Sequence, residues 1–570
     1  MIGTGGHRPA APRRARRGIL AAVLAAAAVV LAGCTGLPTS GPVFAGIAPG
    51  EVAPPDFSFV PQKPQDGASP EQIVQGFVDA GIGPEGTWAV AQLYLAPSFK
   101  DQWKPNLNAT IDDRAARAYV SDGDDKVSLT VTQRATVDAT GAYKPSDGGQ
   151  STLPFTLAKV KGQWRITHAP NGIVLGADQF TGVFHPYALM YFDPGWHYLI
   201  PDVRWFPSSN AVTRIADKLI DGKPSPWLAG SVASAFPENI ALARPSVPLS
   251  DGVAQVELSG PVLSLEGATL NRMQTQLLPS LSSVGGVTDV SMVYQGTALS
   301  AQPVATASTR IDVRPLARTD KGFGFLSATG QVEPIPGITE AMATVHPDAI
   351  TLARDYTSAA VRTATGAVLR VPAKGQVRTL DARAGLIDPA VDALGYIWSV
   401  PARTPGALLA YGPDDKAVQI SGGAWSNASQ VSAISISRDG TRIAAILTVG
   451  GESTVAVFGI VRDADGVPQS LGDGLLLTKL PGLGIDLTWL DESTLGILAH
   501  AGDTTVEIQQ IIGGPGTTTV APDGVTTIAG TPAMVRLRGA DGTLYSQRGS
   551  NWEQTGTGIL TVGQAQGMPQ

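Results

Sequence analysis

From about residue 311 onward the chain is written in short alternating strands cut by Asp-Gly pairs, at 439, 465, 473, 523 and 541. The sharpest unit is Ser435-Ile436-Ser437-Arg438-Asp439-Gly440-Thr441-Arg442-Ile443-Ala444. A period-two strand enters the Asp-Gly pair and a second strand leaves it, which reads as a hairpin. Weaker copies surround Asp355 (352–361), Asp491 (487–495) and Asp541 (539–545). Units that return at roughly 50-residue intervals in all-β texture indicate propeller blades, since a small sheet buries its faces only against its neighbours. Residues 310–570 have room for five or six blades, with an irregular β-sandwich as the competing arrangement. Trp398, Trp425, Trp489 and Trp552 fall here and serve either as blade-core packing or as a sugar-binding face.

A chain of 570 residues is too long for one ordinary domain, and its texture changes twice upstream of the propeller. Residues 69–180 open on Ser69-Pro70-Glu71, an N-cap followed by a proline suited to the first helical position. Ile73, Val74, Phe77 and Val78 then form one helical stripe, and a second helix is expected over Thr87 to Leu95. Period-two runs follow (Val127, Leu129, Val131; Leu153, Phe155, Leu157), with a hairpin at Gly162-Gln163-Trp164-Arg165-Ile166. Helices followed by a curved antiparallel sheet make an α+β domain, which resembles the cone-shaped NTF2-like fold.

Residues 185–300 form a second α+β stretch of order β-β-α-β-β-α-β. Ala188 to Phe192 and His197 to Pro201 are expected as strands around an Asp193-Pro194-Gly195 turn. Helices are expected over Ala211 to Leu219 and Thr269 to Leu281. Several stretches here resemble the GerMN domain of bacterial spore-germination and cell-envelope proteins. They are Met190-Tyr191-Phe192, Leu219-Ile220-Asp221-Gly222, Ala235-Phe236-Pro237-Glu238, Asp251 to Ser259 and Gly286 to Val290. The stretch written Leu-Leu-x-Gly-Pro in that family departs here, because Lys223 separates Gly222 from Pro224.

At the other end, Arg13, Arg14, Arg16 and Arg17 precede an apolar run from Gly18 to Ala32 and then Leu31-Ala32-Gly33-Cys34. A basic region, a short apolar region and small residues in that order make residues 1–33 a signal peptide. The run is shorter than the roughly 20 residues a spanning helix needs. Leu-Ala-Gly-Cys resembles the bacterial lipobox. That resemblance implies cleavage before Cys34 and its modification with N-palmitoyl and S-diacylglycerol groups. Residues 34–68, rich in Pro and Gly, read as an extended tether. Cys34 is the only cysteine, so no intrachain disulfide is available. The five Arg ahead of it carry no compensating acid, so without them the formal charge of −7 becomes −12. So acidic a chain is a poor nucleic-acid binder.

Lipobox, tether, two α+β domains and propeller, in this order, resemble the LpqB family of actinobacterial lipoproteins. The resemblance implies a non-enzymatic protein on the extracytoplasmic face of the cell membrane. It also implies a partner: the extracytoplasmic part of the sensor kinase of the MtrA/MtrB two-component system.

The motifs that could carry chemistry have simpler readings. Gly81-Ile82-Gly83-Pro84-Glu85-Gly86 matches G-x-G-x-x-G but follows a helix, whereas dinucleotide binding needs a preceding strand. Gly222-Lys223-Pro224 is no phosphate loop. None of His7, His168, His185, His197, His346 and His500 falls in a zinc-binding pattern, and His197 is expected on a strand. Asp122-Gly123-Asp124-Asp125 and Asp463-Ala464-Asp465-Gly466 lack the spacing of a calcium loop and suit turns. The adjacent acids Asp112-Asp113 and Asp491-Glu492 would point to opposite faces of a strand. The Asn108 and Asn427 sequons are accidental in a bacterial protein. The expectation is a lipid-anchored binding protein with no cofactor, metal or catalytic residue. The alternative is a propeller enzyme, or a scaffold, acting on cell-wall glycan or peptide.

Overall fold

A computed structural model of the chain describes residues 1–6 and 61–569, apart from 423, 424 and 426. Cys34, the rest of the leader and most of the tether lie outside the described residues. The described residues from 61 onward belong to one compact unit.

Helix α1 (Pro70–Asp79) starts in a capping box: Gln72 N donates to Ser69 Oγ at 3.2 Å, and Ser69 N donates to Gln72 Oε1 at 2.9 Å. It buries Ile73, Val74, Phe77 and Val78 against a sheet ordered Gln163–His168, Gln150–Val160, Lys126–Asp138, Asn108–Asp112, Ile173–Gly176. Alternation on the two long strands turns Val127, Leu129, Val131, Phe155 and Leu157 into this core. The sheet is not wholly antiparallel, because Asn108–Asp112 pairs in parallel with Ile173–Gly176. Helix α2 occupies Glu85–Gln92 rather than Thr87 to Leu95. Gly86, Thr87 and Trp88 form a left-handed turn at its start, held by burial of the Trp88 indole and its N–H donating to Gly81 O at 2.9 Å.

A short helix α3 (Ala177–Val183) leads into the hairpin Phe184–Phe192/Leu199–Pro207, which makes a two-stranded sheet of its own. The next module packs α4 (Ala211–Ile220) and α5 (Gly267–Ser282) on a sheet whose centre is Val253–Ser259 paired in parallel with Asp289–Tyr294. His197 is not on a strand. Asp193 Oδ1 accepts the amides of both His197 and Tyr198 at 2.6 Å, so the turn extends past His197, which stays exposed.

The hairpin belongs to three cores at once. Successive strand residues face opposite ways, so Trp205 lies in the core of the first module and Phe206 in that of the second. Near the turn, Tyr198 and Ile200 join the core between the fourth and fifth propeller sheets. Arg204 and Asp202 form a buried pair at 2.8 Å; Asp202 also accepts Ser225 N and Oγ, and Arg204 reaches Thr140. Gly141, at φ +82°, is needed where the Phe206 ring would lie 2.7 Å from any Cβ.

The β-rich remainder contains six sheets. Blade 1 holds Thr561–Val562, Leu316–Thr319, Gly322–Leu326 and Val332–Pro334; its innermost strand comes from far down the chain. Blade 2 runs from Pro347–Leu352 to Arg378–Asp381, blade 3 from Ala390–Val391 to Ala417–Gln419 and blade 4 from Gln430–Ile436 to Pro468–Lys479. Blade 5 runs from Gly484–Trp489 to Gly516–Val520 and blade 6 from Val525–Thr531 to Asn551–Gly556. The innermost strand of each blade lies against that of the next, and Thr561–Val562 against Pro347–Leu352 closes the ring. Helix α6 (Ile338–Met342) fills the loop between blades 1 and 2.

The Asp units are not all equivalent. Asp355, Asp392, Asp439 and Asp491 stand in turns between first and second strands of blades 2 to 5. Asp392, Asp439 and Asp491 each accept a backbone amide two residues on. Asp541 instead joins the second and third strands of blade 6, one strand out of step. Asp473-Gly474 is no turn but part of strand Pro468–Lys479, where a Cβ on Gly474 would meet the Phe458 ring at 2.5 Å. Asp523-Gly524 lies in the loop between blades 5 and 6.

Asp486 turns its carboxyl into the seam between blades 5 and 6, accepting Ile528 N and Leu487 N at 2.9 Å. Burial there pushes its pKa up to about 8. The unfolded side chain titrates near pH 3.9. Between those values the folded state keeps a proton that the unfolded state has lost, so stability falls as pH rises and levels off above about pH 8. Asp486→Asn is expected to flatten this decline in thermal melts between pH 5 and 8; an unchanged slope would clear Asp486 of the effect. Trp205→Phe is expected to cost about 1 kcal/mol through its lost hydrogen bond, and Trp205→Ala about 3–5 kcal/mol, in denaturant titrations of the full chain.

Candidate functional site

The sites singled out in the sequence have been taken up by the scaffold. Trp398, Trp425 and Trp489 are buried in blade cores; Trp398 Nε1 donates to Asp392 at 3.0 Å and Trp489 Nε1 to Ser435 O at 3.1 Å. Trp552 is half-buried and donates to Val520 O. The four offer no shared stacking platform. Asp112 is buried against Arg117 (2.8 Å), while Asp113 faces Arg134 (3.0 Å). Asp491 caps its turn through Ser493 N, and Glu492 accepts from Thr309. Asp463 accepts the amides of Asp465 and Val467 within a hairpin. Gly81–Gly86 runs from a short 3-10 turn into the start of α2, with the Gly81 carbonyl occupied by Trp88. Lys223 is exposed beside Asp221. Among the described residues no group of three or more His, Cys, Asp or Glu could hold a metal ion, and no helix is long and apolar enough to cross a membrane.

Strands alternate in direction across each blade. The turns joining strands one to two and three to four therefore gather at one end of the ring. The turns joining strands two to three, and the loops between blades, gather at the other. The α+β modules cover the first end. Tyr198 meets Arg354 in the first turn of blade 2, with the guanidinium 5.2 Å from the ring centre. Thr309 meets Glu492 in the first turn of blade 5, and Trp205 Nε1 donates to Gly513 O, in its last turn, at 2.8 Å. Gly459 of blade 4 leaves room for the Trp227 carbonyl, 2.9 Å from where its Cβ would stand.

The opposite end is open except at its rim, where Lys479 of blade 4 pairs with Asp147 of the first module at 3.3 Å. Val449, Leu483, Val520 and Leu560 are exposed there, Leu483 at 70% and Val520 at 66%. Singly such residues are ordinary. Here they share the end of the ring that the α+β modules touch only at its rim, through Asp147 and Lys479.

The axis between the two ends is closed by the chain itself. Gln564–Ala565 pairs in parallel with Thr351–Leu352. Gln564 Nε2 reaches Leu487 O, Gln566 N donates to Leu352 O at 3.0 Å, and Gln566 Nε2 reaches Ile436 O. This segment threads past the inner strands of blades 2, 4 and 5, where a substrate channel would otherwise run. A small cavity of about 30 Å³ remains toward the covered end, lined by Arg314, Arg438 and Arg536 and by no acid or histidine. Beside it lies a buried polar knot: Asp439 accepts Arg442 Nη2 at 2.6 Å and Ser437 Oγ at 2.8 Å, and Arg442 Nη1 donates to Glu492 O. Against burial, which would raise it, the Arg442 guanidinium together with the hydroxyl and amide of Thr441 holds that carboxylate below its usual range. The sequence shows this knot as its sharpest unit but does not show its purpose, which is to tie blade 4 to blade 5.

Comparison with known proteins adds the family. Residues 63–181 match the family model "Lipoprotein LpqB, N-terminal domain", and residues 325–561 match "Lipoprotein LpqB beta-propeller domain". A "Lipoprotein LpqB" of Cutibacterium acnes is 25% identical across 95% of this chain and 98% of its own length. Those of Thermobifida fusca and Bifidobacterium longum are 30% and 33% identical, each matched over about half of either chain. Among solved structures, TolB from Acinetobacter baumannii aligns over 43% of this chain and 64% of its own, at 12% identity and a TM-score of 0.32. A chain of a nidogen/laminin complex aligns over 44% and 96%, at 11% and 0.32. Likenesses at that level bear on neither activity nor partner. With two of its domains matched in order and a relative aligned along nearly its whole length, the chain belongs to the lipoprotein LpqB family.

Proposed function

We propose that this protein is held to the extracytoplasmic face of the cell membrane by lipid on Cys34 and works by binding a membrane partner through the open end of its propeller. The observation that carries this reading is the contrast between the two ends and the axis. One end is covered by the protein's own modules, the axis is filled by its own segment Gly563–Gly567, and the apolar side chains Val449, Leu483, Val520 and Leu560 sit at the end left open. A propeller enzyme acts at the mouth of its axial channel, and here the axis carries Gln and Arg packed against backbone. That arrangement favours recognition over turnover. The partner suggested by the family resemblance is the extracytoplasmic part of the MtrB sensor kinase, whose activity the lipoprotein would modulate. A scaffold that gathers cell-wall enzymes would use the same face.

The anchor suits this role. Each buried CH₂ of an acyl chain contributes roughly 0.8 kcal/mol, and two or more chains hold a protein stably. A net-acidic ectodomain offers little basic surface to do so itself.

Cys34→Ala is expected to abolish labelling by radioactive fatty acid and to shift the protein out of the membrane fraction; labelling that persists would refute the anchor. Leu483→Asp with Val520→Asp is expected to weaken binding to the purified sensor domain of the kinase at least about tenfold, or about 1.4 kcal/mol, with the melting temperature unchanged. Undiminished binding would remove the open end from consideration. No binding by the unaltered protein would remove the kinase and leave the scaffold reading, to be settled by cross-linking in intact cells.

A further inference from the structure

Arg438 and Arg536 are 9% and 7% exposed, and neither has an ion-pair partner among the described residues. Of the five N–H donors on each guanidinium, only those on Nη2 reach protein acceptors. For Arg438 these are Trp489 O at 2.7 Å and Gly530 O at 3.2 Å. For Arg536 they are Val313 O and the Met534 sulfur, a weak acceptor. The acids whose fields reach these residues have other hydrogen-bond or ion-pair partners, and none contacts either guanidinium. Asp312 is gripped by Arg314 at 2.6 Å, Asp439 by Arg442, Asp491 by Ser493 N and Glu492 by Thr309. Both arginines line the axial cavity of about 30 Å³. Largely buried charge without a contacting carboxylate is costly, and two such guanidiniums lining one small cavity favour a counter-charge inside it.

We propose that the axial cavity binds one small monovalent inorganic anion, of chloride size, between Arg438 and Arg536. The small volume favours a chloride-sized anion over phosphate-sized and organic ones. The walls are the ends of the inner strands of blades 4, 5 and 6, the axial segment Val562–Gln566, and Ile311, Arg314 and Pro315 of the linker that joins the α+β modules to the ring. An anion there would bind the linker to three blades, so it would set how firmly the covered end is held.

The test compares thermal unfolding of the full chain in sodium chloride and in sodium gluconate at equal ionic strength, since gluconate is too large for the cavity. Saturable stabilisation by chloride of a few degrees is expected, and it should vanish in the Arg438→Gln/Arg536→Gln double variant. Equal melting temperatures in the two salts would overturn the proposal. So would chloride stabilisation that survives in the double variant, which would be a general salt effect. Should the double variant fail to fold, crystals of the unaltered protein in sodium bromide decide. An anomalous peak between the two guanidiniums supports the site; a water there instead, placed to serve the unpartnered Gln566 Oε1, refutes it.

Discussion

Trp205 and Phe206 are neighbours on one strand, and the pleat sends them in opposite directions into two different cores. The rest of the architecture depends on that divergence. The first module cannot close without the Trp205 ring beside Tyr143 and Phe180, nor the second without Phe206. The same hairpin passes Tyr198 and Ile200 to the propeller. Interfaces between domains within a chain are commonly loose and polar. Here a single hairpin is interior to all three modules, so relative motion among them would have to open a core. Asp202, Arg204 and Ser225 add hydrogen bonds that are satisfied in one arrangement only.

Much of the fold was legible from local pattern. Period-two runs such as Val127, Leu129, Val131 and the stripe Ile73, Val74, Phe77, Val78 point to their own cores, because burial alone sets those periods. The turn at Asp439 declared itself because side-chain capping and Gly440 at φ +76° both leave a mark in sequence. Blade 3 was invisible: its first strands, Ala390–Val391 and Ile397–Ser399, are too short to show a period, and its Asp392 turn lacks the Asp-Gly pair. Asp541 misled in the opposite way, because a hairpin turn has the same chemistry whichever two strands it joins. The pairing of Leu316–Thr319 with Thr561–Val562 leaves no local trace at all.

The candidate sites were less legible than the fold. Trp398 and Trp489 could have served a ligand or a core by composition alone, and only the hydrogen bonds of their indoles decide it. Arg438 appeared as part of a turn motif. What sets it apart, a buried charge without a carboxylate partner, is a property of surroundings gathered from blades 5 and 6 and from the linker. The functional reading follows from a similar consideration of place: which end of the ring is free matters more than any one side chain on it.

The strand that completes blade 1 also bears on synthesis. Thr561–Val562 and Gln564–Ala565 leave the ribosome after every other strand of the ring. Until they are made, blade 1 lacks its inner strand and blades 2, 4 and 5 face an empty axis. A chain is made in sequence order, so the ring stays open while most of the chain already exists. Premature termination, even by a dozen residues, would leave a gapped ring with unpaired strand edges. Proteases that attack unpaired strands would remove such a product, so the ring is protected only once these last strands are in place.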